Sequence, residues 1–233
     1  MKKIKSILLA ALLLFVATTV QAQDLGISWI EVKGGTFTMG SGSSARRVTV
    51  GGFHMSATEV TFDQFAAYCR ATGAEMPDDN GWGMGSRPVL KVSYDDALGF
   101  CRWLSKKSGS KIRLPNEAEW EYAAIGGNAS QGTMYSGSND WDEVSWSEGN
   151  SAGRTHPVGG KKANELGLYD MSGNLWEWCA DWPAGGKNDS RSGQKRCLRG
   201  NSFDNPASSV RHPALRIGGD ARHYNIGFRV VKN

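Results

Sequence analysis

The stretch at residues 164–182 reads NELGLYDMSGNLWEWCADW, and the rest of the chain is best interpreted from it. Asp170 and Glu177 flank residues 172–174 (SGN), which are typical of a tight turn. A turn there directs both carboxylates and nearby main-chain carbonyls toward one place, and such a set of oxygens suits Ca²⁺. The alternative is an ordinary β-turn beside a tryptophan-rich core strand.

Other phrases occur in order along the chain and agree with this central stretch. They are GGTFTMGS at 34–41, ATEVT at 57–61, PVLKVSYDDA at 88–97, RLPNEAEWEYAA at 113–124, HPVG at 156–159, RGNS at 199–202 and GFRV at 227–230. Together they resemble the signature of the formylglycine-generating enzyme, or sulfatase-modifying factor, family. The resemblance implies an α+β fold related to C-type lectins, with low regular secondary structure and long ordered loops.

The resemblance also implies where calcium, the expected cofactor, would bind. The family's ligands map onto two carboxylates and two main-chain carbonyls: Asp170, Gly173, Leu175 and Glu177. A second family calcium site has a counterpart for its first ligand in Asn150, but residues 151–155 (SAGRT) lack the acid expected before HPVG. We therefore expect one calcium site.

Residues 1–22 have the features of a secretory signal peptide. Three lysines precede an apolar run at residues 7–16, and residues 20–22 (VQA) offer a cleavage site before Gln23. The run is too short to span a bilayer, so we expect no membrane insertion and a secreted, periplasmic or cell-envelope protein.

Residues 23–233 are predicted to form a single sulfatase-modifying-factor-type domain. Without the three lysines the net charge of +4 nearly vanishes, so charge indicates no nucleic-acid partner.

Three helices are predicted from their N-terminal caps. Each cap is a Ser, Thr or Asn three residues before an acid or amide, the capping-box spacing. The pairs are Thr61 with Gln64, Ser93 with Asp96 and Asn116 with Glu119. Apolar residues repeat at helical spacing after the first two caps, so these stripes are predicted to face the core. Glu117, Glu119 and Glu121 are interpreted as cap and helix-face residues and not as catalytic acids.

The chain has four cysteines. Cys69 and Cys101 fall on the inward faces of predicted helices, where a free cysteine is a common core residue. An oxidising compartment allows one or two disulfides among these two, Cys179 and Cys197, and the three possible pairings stay open.

Oxidase chemistry is what the family resemblance first suggests. In the family, two cysteines after an RGGS-like phrase bind copper and activate oxygen to convert a sulfatase cysteine to formylglycine. Aligning residues 199–203 on that phrase puts these cysteines at about Asn205 and Val210, and the sequence has no cysteine after Cys197. An amide and an isopropyl group cannot replace the thiolates that select Cu(I), so we expect no copper and no oxidase activity.

Residues 198–231 contain no Lys, Glu, Gln, Met or Trp, although these five types make up roughly a fifth of the chain. None of the five can be reached from the Asn codon AAC by changing only its two adenines. The pattern resembles proteins diversified by retroelements that mutate adenines while copying a template, several of which use the same lectin-like fold. The alternative is that arginine-rich and glycine-rich loops of this fold naturally avoid those residues.

A diversified segment would carry a ligand-binding surface rich in aromatic anchors and adaptable polar groups. The candidate ligand-binding residues are Phe203, Asp204, His212, Leu215, Ile217, Asp220, His223, Tyr224 and Asn225. The sequence thus predicts a secreted, non-catalytic protein that binds an unknown protein or glycan through a variable C-terminal loop surface. The alternatives are a formylglycine-generating-type oxidoreductase acting on sulfatases and a structural component of a bacterial envelope or secretion assembly.

Overall fold

A computed structural model of the chain describes residues 25–181, 195–207 and 214–233. The predicted signal peptide at residues 1–22 lies outside these ranges, as do Val210 and His212. Within them, no helix is both long enough and apolar enough to span a bilayer.

Four α-helices are present in the described ranges: α1 (Phe62–Thr72), α2 (Tyr94–Ser108), α3 (Glu117–Ala124) and α4 (Trp141–Val144). The three predicted capping boxes are confirmed at the starts of α1, α2 and α3, with both reciprocal hydrogen bonds formed in each. Helices α1 and α2 end where Gly73 and Gly109 take left-handed backbone conformations, with φ of 75° and 71°. Glycine is favoured there because it lacks the Cβ that penalises this conformation.

The strands are short and distributed over several sheets. In chain order they are β1 (Trp29–Val32), β2 (Gly35–Met39), β3 (Arg46–Val50), β4 (Phe53–Ser56), β5 (Ile112–Arg113), β6 (Ser145–Trp146), β7 (Ser172–Gly173), β8 (Trp176–Cys179), β9 (Lys195–Arg199), β10 (Ala214–Gly218), β11 (Ile226–Gly227) and β12 (Val231–Lys232). One sheet has the order β1-β4-β12-β5 and a second has the order β10-β9-β8-β11. Strands β2 and β3 form a hairpin, and β6 pairs with β7. The α+β fold class is confirmed.

Two hydrophobic clusters form the core. The larger one packs α1 and α2 against Trp178 and Phe228, and the smaller one surrounds Trp120, Met55 and Val231. Strands β8 and β9 contribute to both clusters because successive side chains of a strand point to opposite faces. The stripes predicted to face the core do so, and Cys69 and Cys101 are buried among them.

From the sequence, residues 205–224 are expected to form a loop and residues 226–231 one closing strand, and the structure differs in both respects. Strand β10 lies inside the stretch expected to be a loop, at the edge of the second sheet. The closing strand is divided, because β11 pairs with β8 in the second sheet whereas β12 lies between β4 and β5 in the first. Local sequence does not reveal this division, since the whole stretch from 226 to 231 is buried.

Candidate binding surface and buried acid cluster

The turn predicted after Asp170 positions two carboxylates in the protein interior. Asp170, Gly173 and Asn174 have positive φ values of 57°, 88° and 62°. Gly173 also lies against Trp146, and a Cβ at this position would be 2.2 Å from the Trp146 carbonyl oxygen. Only glycine fits such a close approach in a left-handed conformation. Asp170 and Glu177 are both buried.

Glu177 forms a buried ion pair with Arg229. Its Oε2 accepts a hydrogen bond from Arg229 Nε at 2.7 Å, and its Oε1 accepts one from Arg229 Nη2 at 2.7 Å. Trp120 Nε1 also donates to Oε2, at 2.8 Å. Arg229 is fully buried and donates further to the Tyr169 carbonyl at 2.9 Å. The bidentate geometry is the strong form of an arginine–carboxylate pair.

Two further carboxylates share this interior and keep unpartnered oxygens. Asp170 Oδ2 accepts a hydrogen bond from Gly159 N at 2.7 Å, and Glu59 Oε2 accepts one from Asn174 Nδ2 at 3.3 Å. Asp170 Oδ1 and Glu59 Oε1 are buried and have no hydrogen-bond partner. Glu59 was not among the predicted site residues, although it lies in the phrase at 57–61 that carried the family resemblance.

The charges in this buried acid cluster (Glu59, Asp170, Glu177 and Arg229) do not balance. Three carboxylates face one guanidinium, and burial raises the pKa of Glu59 well above its usual value, with Asp170 and Glu177 adding to the shift. Burial likewise raises the pKa of Asp170 to about 6. A cavity of about 300 Å³ adjoins Glu59. A proton or a bound cation could compensate the excess negative charge.

The carboxylates of the predicted calcium site can therefore supply some, but not all, of the oxygen ligands that the ion needs. Asp170 has a free oxygen, and Glu177 Oε1 accepts one hydrogen bond and retains a lone pair, since a carboxylate oxygen can accept two. Across the described ranges, no group of three or more His, Cys, Asp or Glu side chains is placed to hold a metal ion. A calcium ion here would need the main-chain carbonyls of Gly173 and Leu175 as well as the two carboxylates.

Asn205, which aligns with the first family cysteine, is held by hydrogen bonds. Its Oδ1 accepts from Trp176 Nε1 at 3.0 Å, from Ser202 N at 3.2 Å and from Ser202 Oγ at 2.6 Å. Its main-chain carbonyl accepts from Glu148 N at 3.0 Å. The amide thus has a structural role between β8 and the following loop.

Residues 203 and 219–224 of the C-terminal loop contact the glycine-rich connector at residues 77–87 and helix α2. The Trp82 ring contacts Phe203 and Tyr224 edge-on, with ring centroids 5.2 and 6.4 Å apart. Tyr94 N donates to the Gly219 carbonyl at 2.9 Å. Arg222 forms an ion pair with Asp96, the partner of Ser93 in the capping box of α2. These contacts hold residue 203 and residues 219–224 in place.

The candidate ligand-binding residues occupy different depths. Phe203 is buried beneath Trp82 and Tyr224, so it supports the surface from below. The half-buried residues are Asp204, Ile217 and Asn225, and the exposed ones are Leu215, Asp220, His223 and Tyr224. Asn225 Nδ2 donates to both Asp204 oxygens at 3.3 Å, which fixes these two side chains to each other.

An open cleft of about 520 Å³ lies beside this surface. Tyr68, Met76, Met84, Lys91 and Arg222 are among the residues that line it. Met84 and Tyr224 are exposed by 47% and 43%, which is high for large apolar side chains. We refer to Trp82, Met84, Arg222 and Tyr224 as the aromatic surface. It combines apolar area, a cation and a neighbouring concavity, the usual features of a binding site.

Curated proteins similar to this chain include one named a chaperone and several named formylglycine-generating enzymes. "Chaperone protein LppX" of Paenibacillus barcinonensis is 35% identical over 204 residues, which cover 65% of this chain and 70% of that protein. The formylglycine-generating enzyme of Streptomyces coelicolor is 33% identical over 176 residues, covering 65% of this chain and 54% of the enzyme. The mouse enzyme is 29% identical over 220 residues and is covered to 58%. The chain therefore spans little more than half the length of these two enzymes.

Solved structures with the same fold cover almost the whole chain. Treponema denticola variable protein 1 has a TM-score of 0.75 and 26% identity, covering 88% of this chain and 95% of that structure. PvdO from Pseudomonas aeruginosa has a TM-score of 0.74 and 27% identity, covering 91% and 96%. The family model described as a sulfatase-modifying factor enzyme 1-like domain matches residues 17–233. The chain belongs to this sulfatase-modifying factor family.

Proposed function

We propose that this protein is a non-catalytic binding protein whose ligand contacts the aromatic surface and the exposed side chains of residues 214–225. The observation that carries the proposal is the contact of Trp82 with Phe203 and Tyr224, which holds an exposed tyrosine on an ordered loop. A tyrosine fixed before binding loses little conformational entropy on contact with a ligand. Export through the signal at residues 1–22 is part of the same proposal.

Sequence diversification of the C-terminal segment is the second part of the proposal. Its support is the absence of five residue types from residues 198–231 and the similarity to a solved structure named a variable protein. The arrangement suits such a process, because residues 214–225 expose several side chains whereas residues 226–231 are buried. Substitution in the exposed part would change the ligand and leave the core intact.

Deep sequencing of codons 199–231 with their flanking DNA, across a growing population, tests diversification. We expect substitutions at adenines of a template copy, concentrated in the codons of exposed residues such as Leu215, Asp220 and Tyr224. Codons 93–125 in the same DNA serve as the control and should not vary. Equal and low variation in both segments, with no template copy nearby, would overturn this part of the proposal.

Calcium binding at Asp170, Gly173, Leu175 and Glu177 is proposed on the charge imbalance of the buried acid cluster. Three carboxylates and one guanidinium leave an excess of two negative charges when all are ionised, which one Ca²⁺ would neutralise. The unpartnered Asp170 Oδ1 would supply the free carboxylate oxygen. The ion would act structurally by fixing the turn between Asp170 and β8.

Asp170→Asn is the variant that tests this site. It removes the charge but keeps an oxygen that can accept the hydrogen bond from Gly159 N. We expect calcium to raise the melting temperature of the wild type relative to chelator, because a ligand of the native state stabilises it, and to have little effect on Asp170→Asn. Asp181→Asn, outside the cluster, is the control and should respond as the wild type does. An equal calcium response in Asp170→Asn would remove calcium from this site.

Formylglycine-type oxidation is the second candidate, favoured by the similarity to two formylglycine-generating enzymes. The amide of Asn205 at the position aligned with a family cysteine argues against it, because an amide is a poor ligand for Cu(I). Incubation with Cu(I), oxygen and a cysteine-containing sulfatase peptide distinguishes the two functions. We expect neither oxygen consumption nor aldehyde in the peptide, and turnover would replace the binding proposal.

A further inference from the structure

Cys179 and Cys197 lie directly opposite each other on neighbouring antiparallel strands. Strands β8 and β9 pair with Cys179 as the register partner of Cys197, and both side chains are fully buried as free thiols. Opposed residues of an antiparallel pair have Cα atoms about 4.5–5.5 Å apart. This separation falls within the roughly 4.4–6.8 Å that a disulfide spans. The register therefore permits a bond between these two sulfurs without a change of strand pairing.

The two thiols have different surroundings. On β10, Arg216 is the register partner of Cys197, and its Nη1 donates to Cys197 Sγ at 2.7 Å. Arg216 Nη2 binds both oxygens of Glu117, at 3.0 and 2.9 Å, which fixes the guanidinium beside the sulfur. Burial raises the pKa of Cys179 well above its usual value, and the Cys197 thiol adds to this shift.

This asymmetry assigns different roles to the two sulfurs. A thiolate is the nucleophile in disulfide exchange, and a neighbouring arginine is a setting that favours it. We take Cys197, which Arg216 contacts, as the attacking sulfur and Cys179 as the resolving one. By contrast, Cys69 and Cys101 lie in α1 and α2, where the Cys69 thiol donates to the Glu75 carbonyl at 3.5 Å and burial raises the pKa of Cys101 to about 12. These two are core thiols.

We propose that Cys179 and Cys197 are a redox pair that closes a cross-strand disulfide by exchange with a small-molecule disulfide such as oxidised glutathione. The Cys197 thiolate attacks one sulfur of that disulfide and releases one thiol. Cys179 then gives up its proton and attacks the Cys197 sulfur of the mixed disulfide, which releases the second thiol. The protein loses two electrons and two protons, and the exchange partner is reduced to two thiols.

The disulfide would act on the part of the sheet that carries the C-terminal segment. It would join β8 to β9, and β9 pairs with β10, on which Leu215 is exposed. It would also close the chain between residues 179 and 197, which stabilises the fold by restricting the unfolded state. The inference is independent of the proposed binding function, because it depends only on the strand register and on Arg216.

Peptide mapping of the full chain tests the pairing. The protein is equilibrated in reduced or oxidised glutathione, both as folded protein and by refolding from denaturant, so that burial does not limit exchange. After alkylation of free thiols, trypsin releases Cys179 in the peptide 163–187 and Cys197 in the peptide 197–199. We expect these two peptides to be disulfide-linked under oxidising conditions and alkylated under reducing ones. The peptides 48–70 and 92–102, with Cys69 and Cys101, should be alkylated in both.

Alkylated Cys179 and Cys197 after refolding in oxidised glutathione, or a bond from either one to Cys69 or Cys101, would overturn the proposal. Variants give a second readout. Oxidation should raise the melting temperature of the wild type and of Cys69→Ser by several degrees but leave Cys197→Ser unchanged. An equal rise in Cys197→Ser would also overturn it.

The role assigned to Arg216 has its own measurement. Arg216→Gln should slow formation of the linked peptides by about threefold, because it removes the guanidinium that contacts Cys197 Sγ. The final yield at equilibrium should stay within the range of the wild type. An unchanged rate would show that Arg216 does not assist the exchange.

Discussion

At the scale of single residues, Arg229 is the cation of the buried acid cluster. Its guanidinium is fully buried, forms two hydrogen bonds with Glu177 and contacts main-chain carbonyls, including that of Tyr169. A buried ion pair contributes little net stability, but removing one partner leaves an uncompensated charge in the interior. The ion pair is therefore expected to show its effect on stability mainly in variants that remove one partner.

Glu177→Ala is predicted to lower the free energy of unfolding by about 3–5 kcal/mol, because it removes the carboxylate that accepts two hydrogen bonds from the buried Arg229 guanidinium. Most of the loss should persist in chelator, since it arises from the arginine and not from calcium. Urea denaturation at neutral pH measures it. Glu31→Ala, on the exposed side of β1, is the control and should change stability by less than about 0.5 kcal/mol. A loss below about 1 kcal/mol in Glu177→Ala would contradict the prediction.

His156 is a second residue whose environment has a measurable consequence. Its ring stacks on Trp146 with centroids 3.7 Å apart and an angle of 10° between the planes. Its Nε2 lies 2.7 Å from the Ser151 carbonyl, so this nitrogen carries a proton and donates. Lys161 Nζ lies 4.3 Å from the centre of the Trp146 ring. A second proton on the imidazole would add a charge beside existing cations.

Acidification is predicted to destabilise the protein through His156. Burial lowers the pKa of His156, and the charges of Arg87, Arg154 and Lys161 lower it further, although the hydrogen bond to Ser151 opposes the shift. Below the usual histidine pKa of about 6.5 the unfolded chain binds a proton that the folded one does not, so stability falls as pH drops from there toward the folded pKa.

The drop in melting temperature between pH 7.5 and pH 5.5 should therefore be smaller in His156→Gln than in the wild type. Scanning calorimetry at the two pH values checks this. Because other groups titrate in the same range, the difference between the two proteins is the relevant quantity. Identical pH responses would show that His156 does not contribute.

At the scale of elements, α3 shows how neighbouring acids acquire separate structural roles. Glu119 completes the capping box and forms a bidentate pair with Arg113. Glu117 binds Arg216, and Glu121 binds Arg199 and Gly40 N. The interpretation of these glutamates as structural is supported by these contacts, since each carboxylate is occupied by a partner from a different part of the chain.

Asn116→Ala is predicted to destabilise the protein by about 1 kcal/mol, because its Oδ1 accepts a hydrogen bond from Glu119 N at 2.7 Å at the start of α3. Asn116→Gly should cost only a few tenths of a kcal/mol, since glycine is tolerated at this cap position. Denaturant unfolding of both variants checks the order. A larger loss for Gly than for Ala would indicate that backbone freedom, and not the cap, limits this helix.

At the scale of the whole molecule, the last residues join the two main sheets. Strand β11 pairs with β8 in one sheet, β12 pairs with β4 and β5 in the other, and Arg229 lies between them in sequence. The same residues follow the C-terminal loop, so the aromatic surface is anchored on one side by the sheets and on the other by α2, through the Tyr94 N bond to Gly219. Exposed residues on such a rigid support can vary without loss of the fold.

Several features could be predicted from the sequence because they depend on neighbours within a few residues. Capping boxes need only a spacing of three, so the starts of α1, α2 and α3 were predicted and confirmed. The family and its α+β fold followed from ordered phrases along the chain and were confirmed by the comparisons. The calcium ligands and the ligand-binding residues stay predictions, because no bound ion or partner tests them.

The sequence by itself determined the helix starts, the core stripes, the turn after Asp170 and the family. Only the tertiary structure decided that Arg229 forms an ion pair with Glu177, that Glu59 joins the acid cluster and that Cys179 faces Cys197. Arg229 and Glu177 are 52 residues apart, and the pairing of the cysteines depends on strand register. Such contacts arise from how distant segments pack, and a one-residue slip between β8 and β9 would separate the two cysteines.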